Sequence, residues 1–286
     1  MFKWRHNIIA VYLTVFMVIS LNGYAQKPTA ESPTVLAAKT KSVTSSSDSS
    51  SSDFSPVSSD RLRKLMEHLK TKGFDIKKLL NDPRFELYDG IGDHFRNSAE
   101  KTSLNLESYK RILGFNAKKD NIAAFMKAHA NQLDKAEQQF GVPKYVIAAI
   151  IGIESDFGKN AGDYNPFNIY VSMYAESYRA SFAFNQLTHL LTFVKNRNLD
   201  VFSLKSSYAG AMTFGQFIPY SMNKWFIGDD ILDMNNNIMS VANYLSYFKE
   251  RTGSIKKAVH RYNPSGLYTR AVLDLADAAK KQYKSS

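Results

Sequence analysis

From Arg61 to the C-terminus, apolar residues recur at intervals of three and four, and this period restricts the fold more than any other feature of the 286-residue chain. Leu62, Leu65, Met66 and Leu69 share one face, because residues so spaced stack on one side of a 3.6-residue helix. Gly73 closes that segment and Asp75 opens another. Asp120 precedes Ile122, Phe125 and Met126, where an N-cap is expected. Leu133, Ala136, Glu137 and Phe140 lead up to Gly141. Val241, Tyr244, Leu245 and Phe248 mark a later helix, and Val272, Leu275, Ala276 and Ala279 the last. Alternation of period two is scarce, and no segment repeats. The pattern predicts one mainly α-helical globule over residues 61–286, with a small N-terminal helical lobe.

The first sixty residues belong to other classes. Lys3, Arg5 and His6 precede a nearly unbroken apolar run from Ile8 to Leu21, and Gly23-Tyr24-Ala25 then supplies small residues at the two positions read by a signal peptidase. This is the three-part pattern of a secretory signal, expected over residues 1–25. The run is shorter than the roughly 20 apolar residues that span a membrane, although a retained anchor is the alternative. Residues 26–60 are dominated by serine with no apolar period, so they cannot bury enough surface to offset their ordering entropy. They are expected to form a disordered linker, as a spacer or as a tether that lets the folded part reach into a meshwork.

Several function classes are excluded. The chain has no cysteine, which removes disulfides, thiolate metal sites, a cysteine nucleophile and lipid attachment at a processed N-terminal cysteine. The six histidines are scattered without ligand spacing, so no metal and no cofactor are expected. The net charge of +11 suits an anionic partner. An exported chain without a reader motif makes nucleic acid a poor candidate.

The stretch from Gly141 to Ser155 carries the most chemical information. Pro143 suits the first turn of a helix. Ile147, Ile150 and Ile151 lie on one face at i, i+3 and i+4, and Glu154 continues that face at i+7. A carboxyl is thereby set on an apolar stripe near a helix C-terminus. Desolvation and the negative helix end both favour its protonated form, as a general acid requires. A glutamate at such a place is also often the solvated rim of a stripe or a lysine partner. Asp156 points to another side and fits a cap.

Residues 146–160, VIAAIIGIESDFGKN, resemble the catalytic-helix motif of the lytic transglycosylase B family, which cleaves bacterial peptidoglycan. Three further blocks agree in order: SSYAGAMTFGQFIPYS at 206–221, SVANYL at 240–245 and RYNPSGLYTRAV at 261–272. The resemblance implies a lysozyme-like fold with Glu154 as single catalytic acid/base. It also implies substrate-binding roles for Ser207, Gln216, Tyr244, Tyr262, Asn263 and Tyr268. Read by themselves, a serine before a turn often caps a helix, as Ser207 would, and a glutamine such as Gln216 is commonly a surface residue. Tyrosines at helical spacing are more often core with the hydroxyl satisfied, and Asn263 in Asn263-Pro264-Ser265-Gly266 also fits a turn. Phe157 stands where the family usually has tryptophan. Only Ser246 to Arg261 lies where many members carry a long insertion, so a compact form without the small β-rich subdomain or calcium-type loop is expected.

The implied reaction is non-hydrolytic cleavage of the β-1,4 bond between N-acetylmuramic acid and N-acetylglucosamine, leaving a 1,6-anhydro end. The alternatives are a hydrolytic muramidase and a non-catalytic wall-binding module. The implied partner is the peptidoglycan glycan strand, in the periplasm or cell envelope. Envelope-assembly proteins are further candidate partners, and a monomer is the default.

Overall fold

The computed structural model describes residues 56–96 and 104–284. The expected signal at 1–25 and nearly all of the serine-rich spacer lie outside them. Thirteen α-helices occur among the described residues: α1 (Pro56–Thr71), α2 (Lys77–Leu80), α3 (Ile91–Arg96), α4 (Leu106–Ile112), α5 (Phe115–Ala128), α6 (Ala130–Phe140), α7 (Lys144–Ser155), α8 (Pro166–Ala175), α9 (Ala180–Arg197), α10 (Pro219–Trp225), α11 (Met234–Thr252), α12 (Ile255–Tyr262) and α13 (Gly266–Lys284). No named strand is present among these residues; only isolated bridges pair extended segments. The mainly α expectation holds.

Helix α7 is the axis of the larger pack. It lies against α5, α6, α11 and α13. Ile147, Ile150 and Ile151 are wholly buried. Burying each such side chain contributes on the order of 2 kcal/mol. That outweighs the few tenths by which a β-branched residue disfavours a helix, so burial sets the element against local propensity. Gly141 takes the left-handed conformation (φ 62°) that ends α6 and lets the chain reverse into α7.

A second pack is built on α8. It is covered by α9, with α1 and α3 on it, and α10 joins through α9. Asn165 caps α8, its side chain accepting from the Phe167 and Asn168 amides, and Pro166 fills the first turn. Between the packs run two extended segments linked by the bridges Tyr164–Ser206, Ser206–Met212 and Met212–Phe217.

Three local expectations are corrected. Asp120 lies inside α5, whose N-cap is Gly114. At φ 63° Gly114 turns α4 directly into α5, so the helix starts earlier than a polar cap would place it. Pro143 is the N-cap of α7 rather than a first-turn residue, its carbonyl accepting from Val146 and Ile147. Helix α1 begins at Pro56, ahead of the expected boundary at 60; Asp60 pairs there with Arg63 at 2.6 Å and Lys64 at 2.7 Å. Only Gly253 and Ser254 separate α11 from α12.

Candidate active site

Glu154 sits half-buried on the last turn of α7. The Tyr268 hydroxyl, from α13, donates to its Oε1 at 2.6 Å. Tyr268 is wholly buried. Burial, and then the Glu154 charge, push the phenol well above its ordinary value of 10.0, so it keeps its proton and remains a donor. A donor fixed by burial in this way orients the carboxyl that accepts from it.

The chain leaves Glu154 through a strained turn. Asp156 (φ 50°), Phe157 (φ 61°) and Gly158 (φ 88°) are all left-handed. Each non-glycine residue there costs about 1–3 kcal/mol, so the surroundings must hold it. The Asp156 carboxylate takes Lys118 at 3.2 Å and Lys159 at 3.1 Å. Burial pushes its pKa up, but the two ammonium groups more than offset this and hold it below the ordinary 3.8. The Phe157 ring packs 5.1 Å from the Phe125 ring and lies over Gly152, where an added Cβ would fall 2.6 Å from Cε1. The Gly158 amide donates to Ser155 Oγ at 3.0 Å.

Glu154 opens on a cavity of about 440 Å³ between the two packs. Ile112, Leu113 and Ile153 give it apolar surface, and Ser207, Tyr208 and Gln216 form part of its lining. Glu86, Tyr88, Asp163 and Tyr164 also line it, with the Tyr88 and Tyr164 rings edge to face at 5.3 Å. Lys118, 8% exposed, is the cation of the lining.

The sequence-derived residues fall into two groups. Glu154, Ser207 and Gln216 line the cavity, and Tyr268 reaches it through Glu154. Ser207 closes a tight turn, its Oγ accepting from the Ala211 amide at 3.3 Å. The Tyr170 hydroxyl donates to Gly210 O at 2.9 Å and fixes that turn. Gln216 (φ 52°) donates through Nε2 to Thr213 O at 2.9 Å. Tyr244, Tyr262 and Asn263 are not among the lining residues. Tyr262 donates to Gly215 O at 2.5 Å, bracing the residue before Gln216. Tyr244 is wholly buried and donates to Arg261 O at 2.7 Å. Its ring meets Tyr262 at 4.9 Å, so it packs behind Tyr262 rather than lining the cavity. Asn263, 3% exposed, ends α12, and its Nδ2 has no hydrogen-bond partner among the described residues.

Lys118, Glu86, Tyr88, Asp163 and Tyr164 were not singled out from the sequence. They stand in no motif, and the fold alone carries them to Glu154. Among the described residues no three His, Asp or Glu side chains cluster as metal ligands.

The family described as "Transglycosylase SLT domain" matches residues 55–259. Membrane-bound lytic murein transglycosylase B of Escherichia coli K12 is 29% identical over 133 residues, 45% of this chain. That match spans only 37% of the relative's length. Lytic transglycosylase SltB1 of Pseudomonas aeruginosa superposes with TM-score 0.70 at 23% identity, covering 81% of this chain and 99% of that one. SltB3 of the same organism, in complex with NAG-anhNAM-pentapeptide, gives TM-score 0.68 at 18% identity over 78% of this chain and 79% of its own. These structural likenesses carry the fold.

Proposed function

The chain belongs to the Transglycosylase SLT domain family, and on that premise we propose that it is a peptidoglycan lytic transglycosylase with Glu154 as its acid and base. The observation that carries the proposal is Glu154 itself: a carboxyl at the end of a buried helix, oriented by the buried Tyr268 hydroxyl and open to a cavity.

Glu154 gives its proton to the oxygen bridging N-acetylmuramic acid to N-acetylglucosamine. The leaving sugar departs with that proton as its hydroxyl. The acetamido oxygen of the muramic residue bonds to its own anomeric carbon, so no protein nucleophile is needed. The ionised Glu154 then takes the proton of the C6 hydroxyl. O6 displaces the acetamido oxygen and closes the 1,6-anhydro ring. Glu154 ends protonated, as it began, and no water is consumed. The nucleophile belongs to the same sugar, so proximity favours ring closure. Ser207 and Gln216 hold the acetamido and lactyl groups, and Tyr88 and Tyr164 offer ring surface to neighbouring sugars. Asp156 is occupied by Lys118 and Lys159 and takes no part in proton transfer.

Glu86 and Asp163 in the same cavity favour one second reading, a muramidase in which a further carboxylate activates water. Digestion of sacculi separates the two by mass: anhydro ends support the lytic reaction, whereas hydrated reducing ends overturn it. Glu154→Gln is expected to fold with an unchanged melting temperature, retain wall binding and lose at least about 100-fold in turnover. Undiminished turnover would remove Glu154 from the mechanism.

The place of action follows from the N-terminal segment. The basic start and the Ile8–Leu21 run act as a secretory signal that sends the domain to the periplasm or cell envelope, and the serine-rich segment serves as a spacer ahead of it. No described helix is long and apolar enough to cross a membrane.

A further inference from the structure

Helix α5 carries a charge on a buried face, as α7 does, but of the opposite sign. Lys118, Ile122 and Phe125 are all buried, at i, i+4 and i+7 of α5, so they share one face. Lys118 is 8% exposed, although lysine is almost never buried unless paired. An apolar side chain would fill the same place without desolvating an ammonium. A buried ion pair adds little stability over such a replacement, so packing and stability alone do not account for the lysine.

That face meets the turn by which the chain leaves Glu154. Lys118 Nζ lies 3.2 Å from Asp156 Oδ1, and the Phe125 ring is 5.1 Å from the Phe157 ring. Asp156 and Phe157 are the two non-glycine residues of the turn in the left-handed region, at φ 50° and 61°. Such backbone persists only where its surroundings hold it. Asp156 is also the C-cap of α7, its amide donating to Gly152 O at 3.2 Å. The other ammonium on Asp156 belongs to Lys159, whose side chain is 61% exposed and screened by water. Lys159 stands on the turn itself and moves with it. Lys118 ties the turn to a different helix.

We propose that Lys118 is a positioning residue for the reaction: by clamping Asp156 to α5 it fixes the turn at the end of α7, and with it the direction in which Glu154 presents its carboxyl. The role rests on Glu154 as the acid and base proposed above. Tyr268 holds the carboxyl itself from α13, and Lys118 holds the backbone that follows it from α5, so the acid is fixed from two sides. Lys118 and Glu154 line one cavity, which places this clamp on the wall where the sugar is cleaved.

Steady-state kinetics on soluble glycan strands test the role. Lys118→Met keeps an unbranched stem and removes the ammonium. It is expected to lower kcat about 10-fold or more with KM nearly unchanged, since a misplaced acid impairs the chemical step rather than binding. Lys118→Arg, which can still pair with Asp156, is expected to keep most of the turnover. Lys119→Ala, exposed one position along α5, is expected to match the wild type, which separates the effect from the loss of one positive charge. Because Lys118 acts through Asp156, Lys118→Met/Asp156→Asn is expected to lose no more kcat than Lys118→Met alone. The double variant leaves neither charge buried without its partner, so it stays folded even where a single change does not. A wild-type kcat in the double variant would overturn the role. So would losses that multiply, or a rise in KM at constant kcat, which would make Lys118 a sugar contact. Full turnover in Lys118→Met beside an inactive Glu154→Gln would remove the positioning role alone; full turnover in Glu154→Gln would remove the catalytic reading beneath it.

Discussion

Tyr268 and Glu154 are 114 positions apart, yet their side chains meet at 2.6 Å. One end of the contact was legible in the sequence. A carboxyl at i+7 of an isoleucine stripe stands out because it contradicts the face it occupies. The other end was only a tyrosine at helical spacing, which core packing explains equally well. Removing the hydroxyl leaves the carboxyl unoriented while keeping the ring. Tyr268→Phe is therefore expected to lower kcat about 10- to 100-fold while KM changes little, since the bond orients the acid rather than the sugar. An unchanged kcat would show that the carboxyl is held by other groups. Lys118 was illegible at this scale. Its burial against Asp156 depends on α5 lying beside the end of α7. A surface lysine and a buried one look alike along the chain.

At the scale of elements, the helices announced themselves and the connections did not. The period of three and four locates α5, α6, α7, α11 and α13 because burial of one face is what stabilises them. Their starts were less legible, as Gly114 in place of Asp120 shows: backbone freedom at a glycine can begin a helix where no polar cap marks it. The segments joining α7 to α8 and α9 to α10 carry half of the site and show no period at all. Gly162 is the tightest point among them. It is left-handed (φ 96°), and a Cβ there would fall 2.1 Å from Ser206 O. Backbone cannot yield as a side chain can. Gly162→Ala is expected to cost about 3 kcal/mol of stability. It should break the Tyr164–Ser206 bridges and displace Ser207, so turnover falls along with the melting temperature. A variant as stable and active as the wild type would show that this close approach is dispensable.

Over the whole molecule, protonation couples the site to stability. Burial holds His129 and His189 below the ordinary 6.5, for His189 with help from Lys224. A depressed group contributes stability that is present above its unfolded value and lost as pH falls through its folded value. Both histidines therefore begin to withdraw stability as pH drops below about 6.5. Asp156, held below 3.8 by Lys118 and Lys159 against its burial, acts in the same direction further into acid. The melting temperature is expected to fall in two steps, near pH 6 and then below about pH 4. His129→Gln/His189→Gln should flatten the first step, and Asp156→Asn should reduce the second, which Asp60, Asp82 and Asp200 share. A melting temperature that is flat down to about pH 3 would contradict this linkage. The sequence by itself determined the helices, the buried stripe and the glutamate that interrupts it, because these depend on residues a few positions apart. The tertiary structure decided which carboxyl receives a proton-holding tyrosine, which lysine is buried, and which loop residues line the cavity beside Glu154. Those contacts join residues far apart in the chain, and no local spacing encodes the packing that brings them together.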